Sequence, residues 1–361
     1  MGGGVIGAAC ARAAAARGLA VRVFEPGSSP GAASPASAGM LAAQIEPAPG
    51  AQLGLAVRAR DLYPGLVPGL EDSTGIAIGL WREGIAALAF DDAGARRLRD
   101  DVGRQRLAGL RADWLEPEAV RERWPGTSAL CRGALLAPED GALDPDALTR
   151  ALLADARRLG AGVVAERATE LRVATGRAQA VAAAAHTFAA RHIVLAAGAW
   201  SPLVPGAPRA LPIVPMRGQL AATPWPGGTP PAILYHDHCY VLARRGEAVL
   251  GSTMEHAGFD ARVTEEGQAR ILRSAATLLP AIVALPVKRA WAGLRPGTPD
   301  GLPIVGPDPD VEGLWYATGH GRNGILFAAL TGEAIGDLLA TGTSSVDISS
   351  WGVERFGAVG H

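Results

Sequence analysis

Apolar and polar positions along this chain switch between a helical period and a strand period, and each switch marks an element. Val5 to Arg17 is alanine-rich with strong helix propensity, and Gly18 supplies a C-terminal stop. Val21-Arg22-Val23-Phe24-Glu25 reads as a short strand ending in an acid. Gln52 to Leu66 is predicted helical, and Ile76 to Phe90 alternates apolar and small residues in the manner of strands. Charged helices are predicted over Ala93 to Leu110 and over Glu116 to Arg123, the second opened by Pro117. Asp144 and Pro145 form an N-cap for a helix from Asp146 to Leu159, which Gly160 ends. Gly162 to Glu166 and Glu170 to Val173 read as strands. His192 to Ala197 is an apolar β run ending at Gly198, as expected of a parallel strand buried on both faces.

The second half changes character. Pro212 to Ala222, Ala232 to Leu242 and Glu247 to Ser252 carry β patterning that predicts an antiparallel sheet. Thr264 to Leu279 is an amphipathic helix ended by Pro280, and Lys288 to Trp291 is a strand leading back. Gly313 to Thr318 is a strand that delivers the glycine-rich Gly319 to Gly324 to a helix over Ile325 to Leu339. That helix N-terminus is suited to a partial negative charge, such as a carbonyl oxygen of a flat cofactor ring.

The sharpest local signal is at the start. Gly2, Gly4 and Gly7 have the spacing G-x-G-x-x-G: one glycine for a tight turn, one for backbone approach to a pyrophosphate, one for close helix–sheet packing. Glu25 stands 18 residues beyond Gly7, where an acid can accept from a ribose hydroxyl. The small-residue stretch Gly27 to Met40 would let backbone approach a large flat ligand. Such a motif ordinarily follows a buried central strand, and only Met1 precedes Gly2. The expectation is a start placed several apolar residues too late, or else a damaged nucleotide site.

Composition narrows the classes. At 361 residues, two domains are expected; 48% hydrophobic content with 47 Gly and 27 Pro fits a turn-rich α/β protein. A net charge of −1 gives no case for nucleic acid or an anionic membrane. The three cysteines, Cys10, Cys131 and Cys239, are widely spaced, so a reducing compartment is expected, with no disulfide framework and no zinc site. No stretch reaches 18 uninterrupted apolar residues, and a soluble, cytoplasmic protein is expected.

Taken together, Gly2 to Gly7, Ser37-Ala38-Gly39-Met40-Leu41, Tyr235 to Tyr240, Trp291 to Thr298 and Gly319 to Thr331 resemble the D-amino-acid oxidase-like family of FAD-dependent amine oxidoreductases. Within that family they are most similar to the branch that oxidises glycine for thiamine biosynthesis. The resemblance implies an α/β fold: a Rossmann-like FAD-binding domain with a parallel sheet, from residues 1–80, 140–210 and 289–361, and an antiparallel-sheet substrate domain from 81–139 and 211–288. It implies non-covalent FAD, with the ADP half on Val5, Ile6, Glu25, Pro26, Ala33 and Ser34 and further contacts along Ala38, Gly39 and Met40. Glu170 would touch the adenosine, and His320, Gly321, Arg322, Asn323, Gly324, Ile325 and Leu326 would line the isoalloxazine ring.

By the same resemblance Arg295 is the clamp for the substrate carboxylate, Tyr240 adds a hydroxyl donor, Arg322 lies near the ring and the substrate's polar end, and His238 and Met254 shape the pocket. No residue is assigned as a dedicated acid or base. The implied reaction is hydride transfer from glycine, sarcosine or a small D-amino acid to the flavin, giving imine or glyoxylate, ammonia and, with molecular oxygen, hydrogen peroxide. A homo-oligomer and hand-over to thiazole synthase are also implied. The alternatives are a D-amino-acid dehydrogenase that passes electrons to a quinone, a sarcosine oxidase-like enzyme, and a catalytically idle nucleotide-binding protein.

Overall fold

A computed structural model describes residues 1–27, 30–46 and 52–357. Ser28 and Ser29, in the small-residue stretch, lie outside the described residues. Beside a three-stranded antiparallel sheet of Ala168–Ala174, Arg177–Ala183 and His186–Ala189 and a pair of Met40–Leu41 with Gly141–Ala142, two sheet systems with a cleft between them position the site. In the first, Arg22–Phe24 pairs in parallel with Gly162–Val164, and Ile193–Leu195 pairs in parallel with Leu314–Thr318, which turns back on Ile304–Pro307. Met1 and Gly2 bridge these two sets. The Met1 carbonyl accepts from Ala196 N at 2.9 Å, and Gly2 N donates to Phe24 O at 3.0 Å.

The helices Val5–Ala16, Pro145–Arg158 and Gly324–Thr341 cover these strands. Small residues make the packing close: a Cβ at Gly332 would stand 2.8 Å from the Ala9 carbonyl oxygen, tighter than real Cβ atoms allow. Gly321–Thr341, which contains the last of these helices, is long and apolar enough, by length and composition, to cross a membrane. Here it is a core helix, with Ile325 to Gly332 all buried. Its polar positions Glu333 and Asp337 lie one turn apart and both pair with Arg17 of the helix packed against it.

The second system is an eight-stranded sheet in the order Arg289–Gly297, Val214–Pro224, Glu247–Gly251, Cys239–Arg244, Ile233–His236, Ile85–Ala89, Gly133–Ala137, Asp113–Leu115. Every neighbouring pair is antiparallel except Ile233–His236 with Ile85–Ala89. Strand alternation gives the sheet two working faces. Ala86, Leu88, Leu234, Val241 and Leu250 point to one side and pack under helix Glu265–Leu278. Ile85, Ala87, Tyr235, Tyr240 and Val249 point to the other, toward Ala38 and Ala42 of the first system.

Arg289–Gly297 was expected to open the last piece of the nucleotide domain. It is instead an edge strand of this sheet, in register with Val214–Ala222 over nine residues. Gly293 explains the mixture: its missing Cβ leaves room for the Ala36 side chain, while Leu294 N donates to Gly31 O at 2.8 Å. The strand belongs to one sheet and is the docking edge for the other system. The helix expected over Gln52 to Leu66 is two helices, Leu53–Asp61 and Tyr63–Thr74, the second with Pro64 in its first turn. Of the strands expected over Ile76 to Phe90, only Ile85–Ala89 forms a regular one.

Candidate active site

One elongated cavity of about 1180 Å³ runs between the two systems. Gly2, Gly4, Val5 and Ile6 form part of its wall, and Gly7 lies just behind them. Gly2 has φ +103°, and a Cβ there would strike the Ala196 carbonyl; a Cβ at Gly7 would strike the carbonyl of Gly2. The loop therefore tolerates no side chain at either position. The N-cap of helix Val5–Ala16 is Gly4, which has no side chain to cap with, and Gly4, Val5 and Ile6 turn the helix's positive end to the cavity. Ser34 Oγ accepts from Val5 N at 2.9 Å and fixes the helix start. Glu25 ends its strand beside the loop, its carboxylate accepting from Gly3 N at 2.7 Å, with Pro26 next to it on the wall.

Ala33, Ala38, Gly39 and Met40 continue the lining. His320, Gly321, Arg322, Asn323, Gly324 and Ile325 complete this part of the wall, a 3₁₀ turn running into helix Gly324–Thr341, with no side-chain cap. Leu326 points away from the cavity into the core beneath that helix. Glu170 also lies off the cavity: it is exposed and paired with Arg172 at 3.1 Å, and Thr169 takes the lining position.

The residues present suit a flavin dinucleotide. The cavity exceeds the roughly 300–1,000 Å³ typical of drug-sized ligands. Two buried polar atoms on its wall, Ser37 Oγ and His320 Nδ1, have no hydrogen-bond partner among the described residues, as expected where a ligand supplies one. Burial alone drives the His320 imidazole down to about 3, so it is neutral, with Nε2 engaged by Thr331 Oγ1 at 3.0 Å.

The second system contributes charge. Arg295 and Tyr240 both reach the cavity, each lying over a glycine in a neighbouring strand: a Cβ at Gly218 would run into the Arg295 guanidinium, and one at Gly251 into the Tyr240 hydroxyl. A glycine inside a strand marks such a close approach. Two of Arg295's donors are used, Nη1 to Thr253 O at 3.1 Å and Nη2 to Ser252 Oγ at 2.9 Å. Among the described residues no carboxylate pairs with Arg295. Burial pulls the guanidinium below its ordinary range and Arg322 adds to this, while Tyr240, Glu46 and Glu255 oppose it. Burial pushes the Tyr240 hydroxyl up to about 12, so it stays a donor at any working pH.

Arg322 is placed differently. It lines the cavity but forms an ion pair with Glu46, a residue the sequence reading did not single out. Tyr235, also unassigned, has its hydroxyl 3.2 Å from His238 Nδ1, and burial with the charge of Glu46 drives its ionisation well up. His238 itself is exposed and off the cavity, because Asp237 and His238 are the two positive-φ turn residues of the hairpin between Ile233–His236 and Cys239–Arg244. Met254 is 44% exposed and also lies off the cavity wall. The strand glycines Gly218 and Gly251 mark the close approach of Arg295 and Tyr240, and nothing local marks Glu46.

Two separate helix N-termini on one cavity, with an unpaired guanidinium beside them, are what a pyrophosphate, an electron-accepting ring and an anionic substrate require together. The class so defined is that of the flavin-dependent oxidoreductases. The family described as DAO, FAD dependent oxidoreductase, matches residues 1–338, and the chain belongs to it. It is 34% identical to the glycine oxidase of Bacillus licheniformis, over 94% of this chain and 91% of that one. It is 34% identical to the bifunctional protein ThiO/ThiG of Trichormus variabilis, over 99% of this chain but 54% of that longer one. The crystal structure of glycine oxidase from Geobacillus kaustophilus superposes with a TM-score of 0.92 at 32% identity, covering 98% of this chain and 97% of that one.

Proposed function

We infer that this enzyme oxidises glycine or a closely related small amine, such as sarcosine or a small D-amino acid, to the imine, which for glycine water converts to glyoxylate and ammonia. The observation that carries the reading is the unpaired Arg295 guanidinium, which faces the same cavity as the glycine loop. The relatives named glycine oxidase support it.

Bound FAD would lie along Gly2 to Ile6, Ala38 to Met40 and His320 to Ile325, and would supply the hydride acceptor and the route for electrons to oxygen, giving hydrogen peroxide. The chain's own residues do the rest. Arg295 offers parallel N–H donors to a carboxylate, and Tyr240 donates to the same group from the neighbouring strand. Both are held by the sheet, so the substrate's Cα is positioned by rigid elements. No side chain is required to take a proton from Cα when the amine binds neutral. His320 is unprotonated with one nitrogen engaged, and Glu46 is committed to Arg322.

The ThiO/ThiG relatives support a role in supplying thiazole synthesis for thiamine, with thiazole synthase as the downstream partner. Assembly as a homo-oligomer and a cytoplasmic location complete the reading.

The test is the visible spectrum of the purified, FAD-loaded protein under anaerobic glycine, followed by air. Bleaching with glycine and recovery in air with stoichiometric peroxide is the expected result. Bleaching that persists in air would replace the oxidase with a dehydrogenase, and no bleaching would remove glycine as substrate.

A further inference from the structure

The cavity holds two arginines in unlike states. Arg295 has only neutral partners, the Ser252 hydroxyl and the Thr253 carbonyl. Arg322 is ion-paired with Glu46, whose side chain is 15% exposed against 24% for the arginine. The two cations are close enough for Arg322 to help pull Arg295 below its ordinary range. Glu46 is not a loose surface acid that happened upon a partner. The backbone just before it is pinned from below: the wholly buried Asp140 accepts from Gln44 N at 2.9 Å and from Ile45 N at 3.0 Å. Arg60, itself buried, donates to Asp140 Oδ1 at 3.1 Å and to the Gln44 side chain at 2.7 Å. The carboxylate of Glu46 is thus delivered to the cavity wall by a rigid support.

We propose that Glu46 sets the substrate class by silencing Arg322, so that the pocket presents one free guanidinium and selects amines bearing a single carboxylate. This rests on the reading of Arg295 as the carboxylate receptor. With Glu46 ionised, the three side chains leave one net positive charge, which one carboxylate cancels. A second anionic group on the substrate would have to approach Glu46 or break a desolvated ion pair, and both are unfavourable. Without the Glu46 charge, Arg322 becomes a second receptor, and a dianion fits the doubled positive charge. Glu46 is therefore a specificity-determining residue that acts through Arg322.

The test uses FAD-loaded enzyme and two ligands that cannot be dehydrogenated to an imine, glycolate with one carboxylate and malonate with two, titrated calorimetrically. The native protein should bind glycolate at least about tenfold tighter than malonate, the factor that corresponds to about 1.4 kcal/mol. In Glu46→Gln the order should reverse, with the malonate Kd falling about tenfold or more. In Glu46→Gln/Arg322→Gln that gain should vanish. Should Glu46→Gln fail to fold, Arg322→Gln alone decides: it leaves Glu46 as a bare anion, and both ligands should bind about tenfold weaker or worse. An unchanged glycolate-to-malonate ratio in Glu46→Gln, or unchanged binding in Arg322→Gln, overturns the proposal. Glycine oxidation separates the two ideas: a native enzyme that oxidises glycine while the ratio stays fixed refutes only the role of Glu46. A native enzyme that neither oxidises glycine nor binds glycolate refutes the function with it.

Discussion

The two sides of the cavity are made of different material. The side formed by Gly2 to Ile6 and Gly321 to Ile325 is mostly backbone, with two helix N-termini and few charged side chains. The side formed by the eight-stranded sheet presents side chains, Arg295 and Tyr240, laid across glycine notches. A backbone site recognises what it binds by shape and by fixed dipoles, so it is sensitive to added volume and indifferent to charge reversal at a distance. A side-chain site has the opposite sensitivities. The largest expected effect tests the first half of that contrast. Gly2→Val places a branched side chain at φ +103° against the Ala196 carbonyl. Backbone strain and overpacking, each about 1–3 kcal/mol, should together raise the FAD Kd by a factor of about 30 or far more. Flavin content after dialysis measures it; a variant that keeps its flavin would show that this loop is not a cradle.

The next two effects test the other half. Arg295→Ala should lower kcat/KM for glycine by about 2–5 kcal/mol, roughly 30-fold to several thousand-fold, mostly through KM, while FAD content stays unchanged. Lysine should rescue little, because a point charge cannot reproduce two parallel donors. Tyr240→Phe removes one hydroxyl donor to a charged group, worth about 1.5–3 kcal/mol, and should cost about 10- to 150-fold in the same quantity. Its pH dependence has a definite sign. Burial raises the hydroxyl to about 12, so the donating form persists to that pH and is lost only above it. Tyr240→Phe should therefore lower the whole kcat/KM profile below about pH 11 without moving its inflections. A basic limb that disappears in the variant would mean that Tyr240 ionises within the working range.

The same contrast decides what could be read from residue order. Features written in local chemistry were legible. The Asp144 side chain caps helix Pro145–Arg158 at Asp146 N and Ala147 N, and Thr264 caps Glu265–Leu278 at Gly267 N, so both helices fall within a residue or two of expectation. The glycine loop, Glu25 and the turn before Gly324–Thr341 also depend on local spacing. Arg289–Gly297 was truncated at Trp291 because Gly293, Pro296 and Gly297 look like turn residues; they lie in a strand because the Ala32–Ala36 segment packs on Gly293. His238 was drawn in by its neighbours, yet a two-residue hairpin turn puts it outside. Glu46 was invisible. Its role is fixed by Asp140 and Arg322, which are 94 and 276 positions away in sequence, and no period or motif encodes such a meeting.

The smallest effect is the one best placed to break the contrast, because Glu25 is the one charged side chain on the backbone-built side whose place was readable from spacing alone. Its carboxylate already accepts from Gly3 N at 2.7 Å, so it orders the loop as well as facing the cavity. If that side works by shape and dipole, Glu25→Gln keeps a carbonyl acceptor in nearly the same place and should cost only about 0.5–1.5 kcal/mol, roughly two- to tenfold in FAD Kd. Glycine turnover at saturating FAD should be unchanged, since the substituted group lies beside the glycine loop and not among Arg295, Tyr240 and Glu46. Fluorescence titration of the apoprotein with FAD measures the loss directly. A hundredfold loss, or a fall in turnover at full flavin occupancy, would mean that charge matters at both ends of the cavity and that the division between a backbone side and a side-chain side is drawn in the wrong place.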